Sequence, residues 1–134
     1  MERLRERLIT AGKALATLEE VMALTRPSAI ERDAALQRFE YTFEAVWKAA
    51  KQLLLELEGL DMGSPKSVIR ASREMGILDE EETVEALQMA DDRNLTVHTY
   101  NEALASAIYE RLKGYVVLLR HWLEEMELRF KLRQ

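Results

Sequence analysis

The chain has 134 residues, 48% of them hydrophobic and 32% charged, with a formal net charge of −5 and no cysteine. One domain, residues 1–134, with a real core is expected, while disulfides and thiolate metal sites are excluded. The acidic balance argues against broad electrostatic binding to nucleic acid, which needs a basic footprint, and the longest apolar runs, such as Leu53-Leu54-Leu55, are far too short to span a bilayer.

The chain opens Met1-Glu2-Arg3-Leu4-Arg5-Glu6-Arg7, charged throughout and without the apolar segment of a signal peptide. A cytoplasmic location with no membrane contact is the expectation. A first helix is predicted from residue 2 to about 24, because Leu4, Leu8, Ala11, Leu15, Leu18 and Met22 recur at steps of three and four. Thr25-Arg26-Pro27-Ser28 stops it. Ser28 and Glu31 have capping-box spacing, in which each side chain accepts from the other residue's free backbone N–H.

The second helix then runs to about Glu58, with Leu36, Phe39, Phe43, Val46, Trp47, Ala50, Leu54 and Leu57 on its buried face. Glu44 and Lys48 stand four apart in the favourable order, and Gly59 is a helix stop. Ser64 with Pro65 starts a short third helix over about 65–75, ended by Gly76. Asp79 and Glu82 repeat the capping-box spacing and start a fourth helix, on which Val84, Leu87, Asn94 or Leu95, and His98 fall near one face. Asn101 caps a fifth helix over about 102–132, with a stripe of Leu104, Ile108, Leu112, Tyr115, Leu119, Trp122 and Met126. A 30-residue helix is roughly 45 Å long. Two of that length predict an all-α, elongated antiparallel bundle of about five helices, with no strand and no repeat. The apolar surplus on those two helices predicts a homodimer.

The polar residues with chemical potential gather where the fourth helix ends, in Asp91-Asp92-Arg93-Asn94-Leu95-Thr96-Val97-His98-Thr99-Tyr100. An arginine holds a phosphate by forked hydrogen bonds, a histidine moves protons near neutral pH, and a tyrosine hydroxyl donates, accepts or is modified. Each also has a structural reading. Arg93 can pair with Asp92 or another helix acid, His98 can be a core or cap histidine, and Tyr100 can pack at the junction. Asp91, Asp92 and His98 do not have the three- or four-residue spacing of a metal site, so neither a metal nor a cofactor is expected. His121 reads as a surface residue of the fifth helix. Arg93 and His98, five apart, diverge by about 140° on a helix, and a two-fold dimer is the simplest way to bring two copies of the segment across one cleft.

Chemistry by this chain alone is narrowed further. A minimal nucleotidyltransferase needs a Gly-Ser turn followed by Asp-x-Asp on a strand, so that both carboxylates share a metal. Here Gly63-Ser64 opens a helix, Asp91 and Asp92 are adjacent, and no phosphate loop with Walker spacing occurs. Nucleotide transfer by this chain is therefore excluded.

The Arg-x4-His-x-Tyr spacing of Arg93, His98 and Tyr100 resembles the signature of the HEPN superfamily, in the branch whose members pair with minimal nucleotidyltransferases. Two further blocks resemble the nucleotidyltransferase substrate-binding protein family. They are Arg38-Phe39-Glu40-Tyr41-Thr42-Phe43-Glu44 followed by Trp47-Lys48, and Ser64-Pro65-Lys66-Ser67-Val68-Ile69-Arg70. The resemblance covers about residues 30–120, in order. It implies a dimeric HEPN-like bundle that binds a minimal nucleotidyltransferase partner chain, as the substrate-binding or target subunit of a toxin–antitoxin pair. It also implies that the partner attaches AMP to Tyr100. The alternative it implies is a metal-independent ribonuclease at a dimer cleft, in which Arg93 holds the scissile phosphate of RNA, His98 carries the proton and Asn94 supports them. Asp92 and Thr96 are further candidates for binding RNA or a nucleotide.

Overall fold

The structure, a computed structural model, describes residues 1–134. It contains α1 (Glu2–Met22), α2 (Ala29–Glu58), α3 (Pro65–Glu74), α4 (Glu80–Leu95), a 3-10 turn (Thr96–His98) and α5 (Glu102–Leu132), and no strand. The helix starts are set by local chemistry. Ser28 and Asp79 close capping boxes with Glu31 and Glu82, Ser64 does so with Ser67, and the Asn101 side chain accepts from the Leu104 amide. Gly59 and Gly76 sit at φ 68° and 75°, the left-handed conformation that ends a helix and that a side chain would strain.

α2 and α5 form the middle of the bundle. Ion pairs at both ends show that they run parallel: Arg32 meets Glu102 where both begin, and Arg133 meets Glu58 where both end. α1 runs antiparallel to them, its amino terminus on Glu56 and its far end on Arg120 through Glu19. α4 is antiparallel too, and packs with α3 on the opposite side from α1. The order α1, α2, α4, α5 is therefore up, down, up, down, with α3 as a short crossing piece.

The predicted stripes of α1, α2 and α5 are the buried faces, with Met22, Leu57 and Leu104 only partly covered. At the centre Phe39 stacks on Tyr115 at 5.6 Å between ring centroids, and Trp122 is fully buried behind them. α1 and α4 cover the predicted stripes of the two long helices within one chain, while Ile30, Tyr41 and Leu55 of α2 and Val117, Leu128 and Leu132 of α5 stay exposed.

α4 departs from its predicted face. The residues it buries are Thr83, Ala86, Met89, Ala90 and Asp92, while Val84 is 65% exposed and Leu95 and His98 also face outward. The alanines allow close approach of α4 to its neighbours, and the buried acid is tolerated because α5 satisfies it. The helix also stops three residues short of His98. Thr96 Oγ1 donates to the Arg93 carbonyl at 2.7 Å and Thr99 Oγ1 to the Thr96 carbonyl at 3.1 Å. These i−3 hydroxyl contacts favour a tight 3-10 turn over a further α turn.

Candidate functional site

The α4–α5 junction is held from two sides. On the α2 side stand Glu40 and Glu44, one helical turn apart. Thr96 Oγ1 shares its one proton between the Arg93 carbonyl and Glu40 Oε2, 3.1 Å away, and Arg93 Nη2 donates to Glu44 Oε2 at 2.7 Å. Glu44 also accepts from the Trp47 indole at 3.2 Å and pairs with Lys48 at 3.3 Å. Burial pushes its carboxyl upward, but the indole, the Arg93 guanidinium and Lys48 together hold it below the usual carboxylate range. Arg93 therefore pairs with Glu44 and not with its neighbour Asp92. Its Nη1 reaches Asn94 Oδ1 at 3.5 Å, and its buried Nε has no acceptor. A shallow groove of about 290 Å³ opens beside it, lined by Gln37, Glu40, Tyr41, Glu44 and Arg93.

On the α5 side the anchor is Asp92, only 3% exposed. Arg111 grips it with two bonds, Nε to Oδ2 at 2.7 Å and Nη2 to Oδ1 at 2.8 Å, and the Tyr115 hydroxyl donates to Oδ2 at 2.5 Å. Hydrogen bonding to this carboxylate raises Arg111, while burial, then the carboxylate, raises Tyr115 well above the ordinary phenol range. The sequence offers Asp92 as a binding residue. In the structure both its oxygens are engaged within the chain, and it fixes the last turn of α4 to α5. Thr96, offered likewise, is buried with its hydroxyl bonded to Glu40 and the Arg93 carbonyl. Asp91 points the other way and pairs with Lys66 at 2.7 Å.

Beyond the 3-10 turn the chain is open. His98 is exposed, not on the apolar face, and its Nδ1 lies 3.2 Å from the Tyr100 hydroxyl, with the rings edge-on at 5.7 Å. Tyr100 is 83% exposed. The structure thus brings His98 and Tyr100 together and gives Arg93 separate partners; no hydrogen bond joins Arg93 to His98 within the chain. Asn94 is exposed beside Arg93. His121 is a half-exposed residue of α5, as expected, but it bonds Glu82 of α4 and faces Glu125 at 3.7 Å.

The residues that sequence reasoning misses are the partners. Glu40 and Glu44 lie inside one of the blocks quoted above, and the Glu44–Lys48 spacing is legible, but nothing along the chain points from them to Arg93. Arg111 and Tyr115, four apart on α5, carry a weak signal as a cation and a phenol on adjoining turns of a mainly apolar helix.

Residues 6–128 match the family model described as nucleotidyltransferase substrate binding protein like. A Thermus thermophilus protein of known crystal structure is similar at 59% identity and a TM-score of 0.84, over 87% of this chain and 98% of that one. A Haemophilus influenzae protein, whose structure is described as revealing the fold of a substrate binding domain of a nucleotidyltransferase, is similar in fold. Its TM-score is 0.76 at 22% identity, over 90% of this chain and 98% of its own. No curated protein matches the chain.

Proposed function

The chain belongs to the nucleotidyltransferase substrate-binding protein-like family, and from that premise we propose that it is the substrate-binding or target subunit of a two-component system whose other chain is a minimal nucleotidyltransferase. In this reading the pair is of the HEPN toxin–antitoxin type, and the partner transfers AMP from ATP to the Tyr100 hydroxyl, with release of pyrophosphate. The observation that carries it is the exposure of Tyr100 with its hydroxyl 3.2 Å from His98 Nδ1. A phenol so placed is reachable by another chain's active site, and the imidazole beside it is a ready acceptor for the proton that must leave. The rigid clamps on Asp92, Arg93 and Thr96 hold the turn that presents it.

The test is incubation with the nucleotidyltransferase partner and ATP. The expected outcome is one adenylyl mass added to the peptide carrying Tyr100, and none on Tyr100→Phe. If Tyr100→Phe is labelled like the parent, or if a bound partner leaves no label, the target-subunit reading fails.

A second reading is favoured by the exposed imidazole of His98: a metal-independent ribonuclease acting across a homodimer, with Arg93 from one or both copies at the scissile phosphate. Arg93 would have to leave Glu44, or keep it through Nη2 and engage the phosphate through Nη1, whose one contact is Asn94 at 3.5 Å. His98→Ala should then lower RNA cleavage by the partner-free protein about 10²- to 10⁴-fold with little change in melting temperature, the range expected for loss of a general acid–base group. Intact RNA after incubation with the parent protein would end this reading.

A further inference from the structure

A second groove lies on the side of the bundle formed by α3 and α4, outside the junction described above. It measures about 300 Å³ and is lined by Arg70, Arg73 and Glu74 of α3 and by Glu80, Val84 and Leu87 of α4, with Thr83 beneath. Three features of it are unexplained by the fold. α3 is the only helix whose cations outnumber its acids. Lys66 of that helix is matched by Asp91, and Arg73 by Glu80 at 3.8 Å, which leaves Arg70 without an ion pair. Val84, which the helical pattern placed in the core, is instead 65% exposed along the groove.

We propose that this α3–α4 groove binds a nucleoside monophosphate, with Arg70 and Arg73 on the phosphate and the base over Val84 and Leu87. Arg70 and Arg73 are three apart, so their guanidinium groups rise from adjoining turns of one face. Planar guanidinium forks suit a phosphate monoester better than point charges do. The side chains of Val84 and Leu87, also three apart, give a flat heterocycle an apolar floor. Glu74 and Glu80 supply acceptors for exocyclic amino hydrogens, which favours adenine, guanine or cytosine over uracil. Charge decides the size of the anion. Arg70 is the one lining cation without an ion pair, and Glu74 and Glu80 match the two arginines in number, so the groove has no surplus of positive charge and a monophosphate, the least charged nucleotide, meets the least repulsion in it.

The proposal deepens the substrate-binding reading by naming a ligand class and its seat, and it involves neither Tyr100 nor the partner chain. Its test is therefore made on the isolated protein. AMP is titrated into ¹⁵N-labelled protein at low salt and amide shifts are followed to about 5 mM, a range that captures millimolar affinity. The expected result is saturable shifts centred on Arg70, Arg73, Val84 and Leu87, with adenosine and inorganic phosphate each binding at least about tenfold more weakly, a loss of one good polar or apolar contact. Arg70→Ala should weaken AMP by about tenfold or more, and Val84→Asp, at an exposed position, should abolish binding while the spectrum stays folded. Absence of saturable shifts, shifts centred on Arg93 and His98, or unchanged affinity in either variant would each overturn the proposal. Any of these results would leave the Tyr100 labelling experiment to decide the partner reading by itself.

Discussion

Among single residues, Asp92 carries more structural weight than any other polar group of the motif. It is a buried carboxylate with three donors and stands directly before Arg93 in the chain, so the geometry of the candidate site depends on it. Removing one donor to a buried charge costs about 1.5–3 kcal/mol. Tyr115→Phe removes only the hydroxyl and preserves the stacked Phe39 contact. We therefore predict a stability loss of that size by urea denaturation, with the fold retained; a change within error of zero would mean that water replaces the hydroxyl. Glu44 is the corresponding residue on the α2 side. Its carboxyl is held below the ordinary range, so its contribution is fully present above that range and is lost as pH falls through the lowered value. Glu44→Gln removes the charge that Arg93 and Lys48 share, and should flatten the acid limb of the stability curve.

Between elements, the seam of α4 and α5 has an electrostatic weakness. Glu85 lies on it close to the backbone of Gly114, where an added Cβ would come within 2.9 Å of its carboxylate oxygen. Burial, and then the nearby Glu82, raise its carboxyl above the usual range. The folded chain therefore holds this proton more tightly than the unfolded chain does. Stability from this group is greatest below the ordinary carboxylate range and falls as pH rises through the raised value. At pH 7 the charge is a cost. Glu85→Gln should raise the melting temperature at pH 7, by an amount equivalent to less than about 1 kcal/mol because the group is partly solvated. The gain should vanish near pH 4. An equal gain at both pH values would point to packing and not charge.

For the molecule as a whole, the exposed apolar side chains are informative about assembly. The stripes of α2 and α5 are covered within the chain, so they supply no ground for a dimer. Of the open apolar residues, Leu128 and Leu132 lie near the far end of α5, while Leu24, Ile30, Val97 and Tyr100 lie at the end of the bundle where α2 and α5 begin. That is also the end carrying His98. If Leu24, Ile30 and Val97 make the two-fold contact and Tyr100 stays outside it, open to the partner chain, two copies of the motif lie side by side there. We predict a dimeric mass by light scattering at micromolar concentration and a single-chain mass for Val97→Glu. A monomeric parent protein would remove the cleft that the ribonuclease reading requires. No helix is long and apolar enough to cross a membrane.

The sequence by itself determined the helices, their caps and the residues that make the core. Ser28 with Glu31, Asp79 with Glu82, Asn101, and the stripes of α1, α2 and α5 are all interactions between residues three or four apart, so their pattern is legible along the chain. It also marked Arg93, His98 and Tyr100, though only as residue types at a spacing. α4 was the exception among the helices, because it is short, acid-rich and buries alanines, and Val84 and Leu95 therefore suggested a face that the bundle does not use. What only the tertiary structure decided is who holds whom. Arg93 meets Glu44 across 49 residues and Asp92 meets Arg111 across 19. Such pairs depend on where two helices cross and how each is rotated about its own axis. No local periodicity encodes those quantities, since they are set by the packing of all five helices at once.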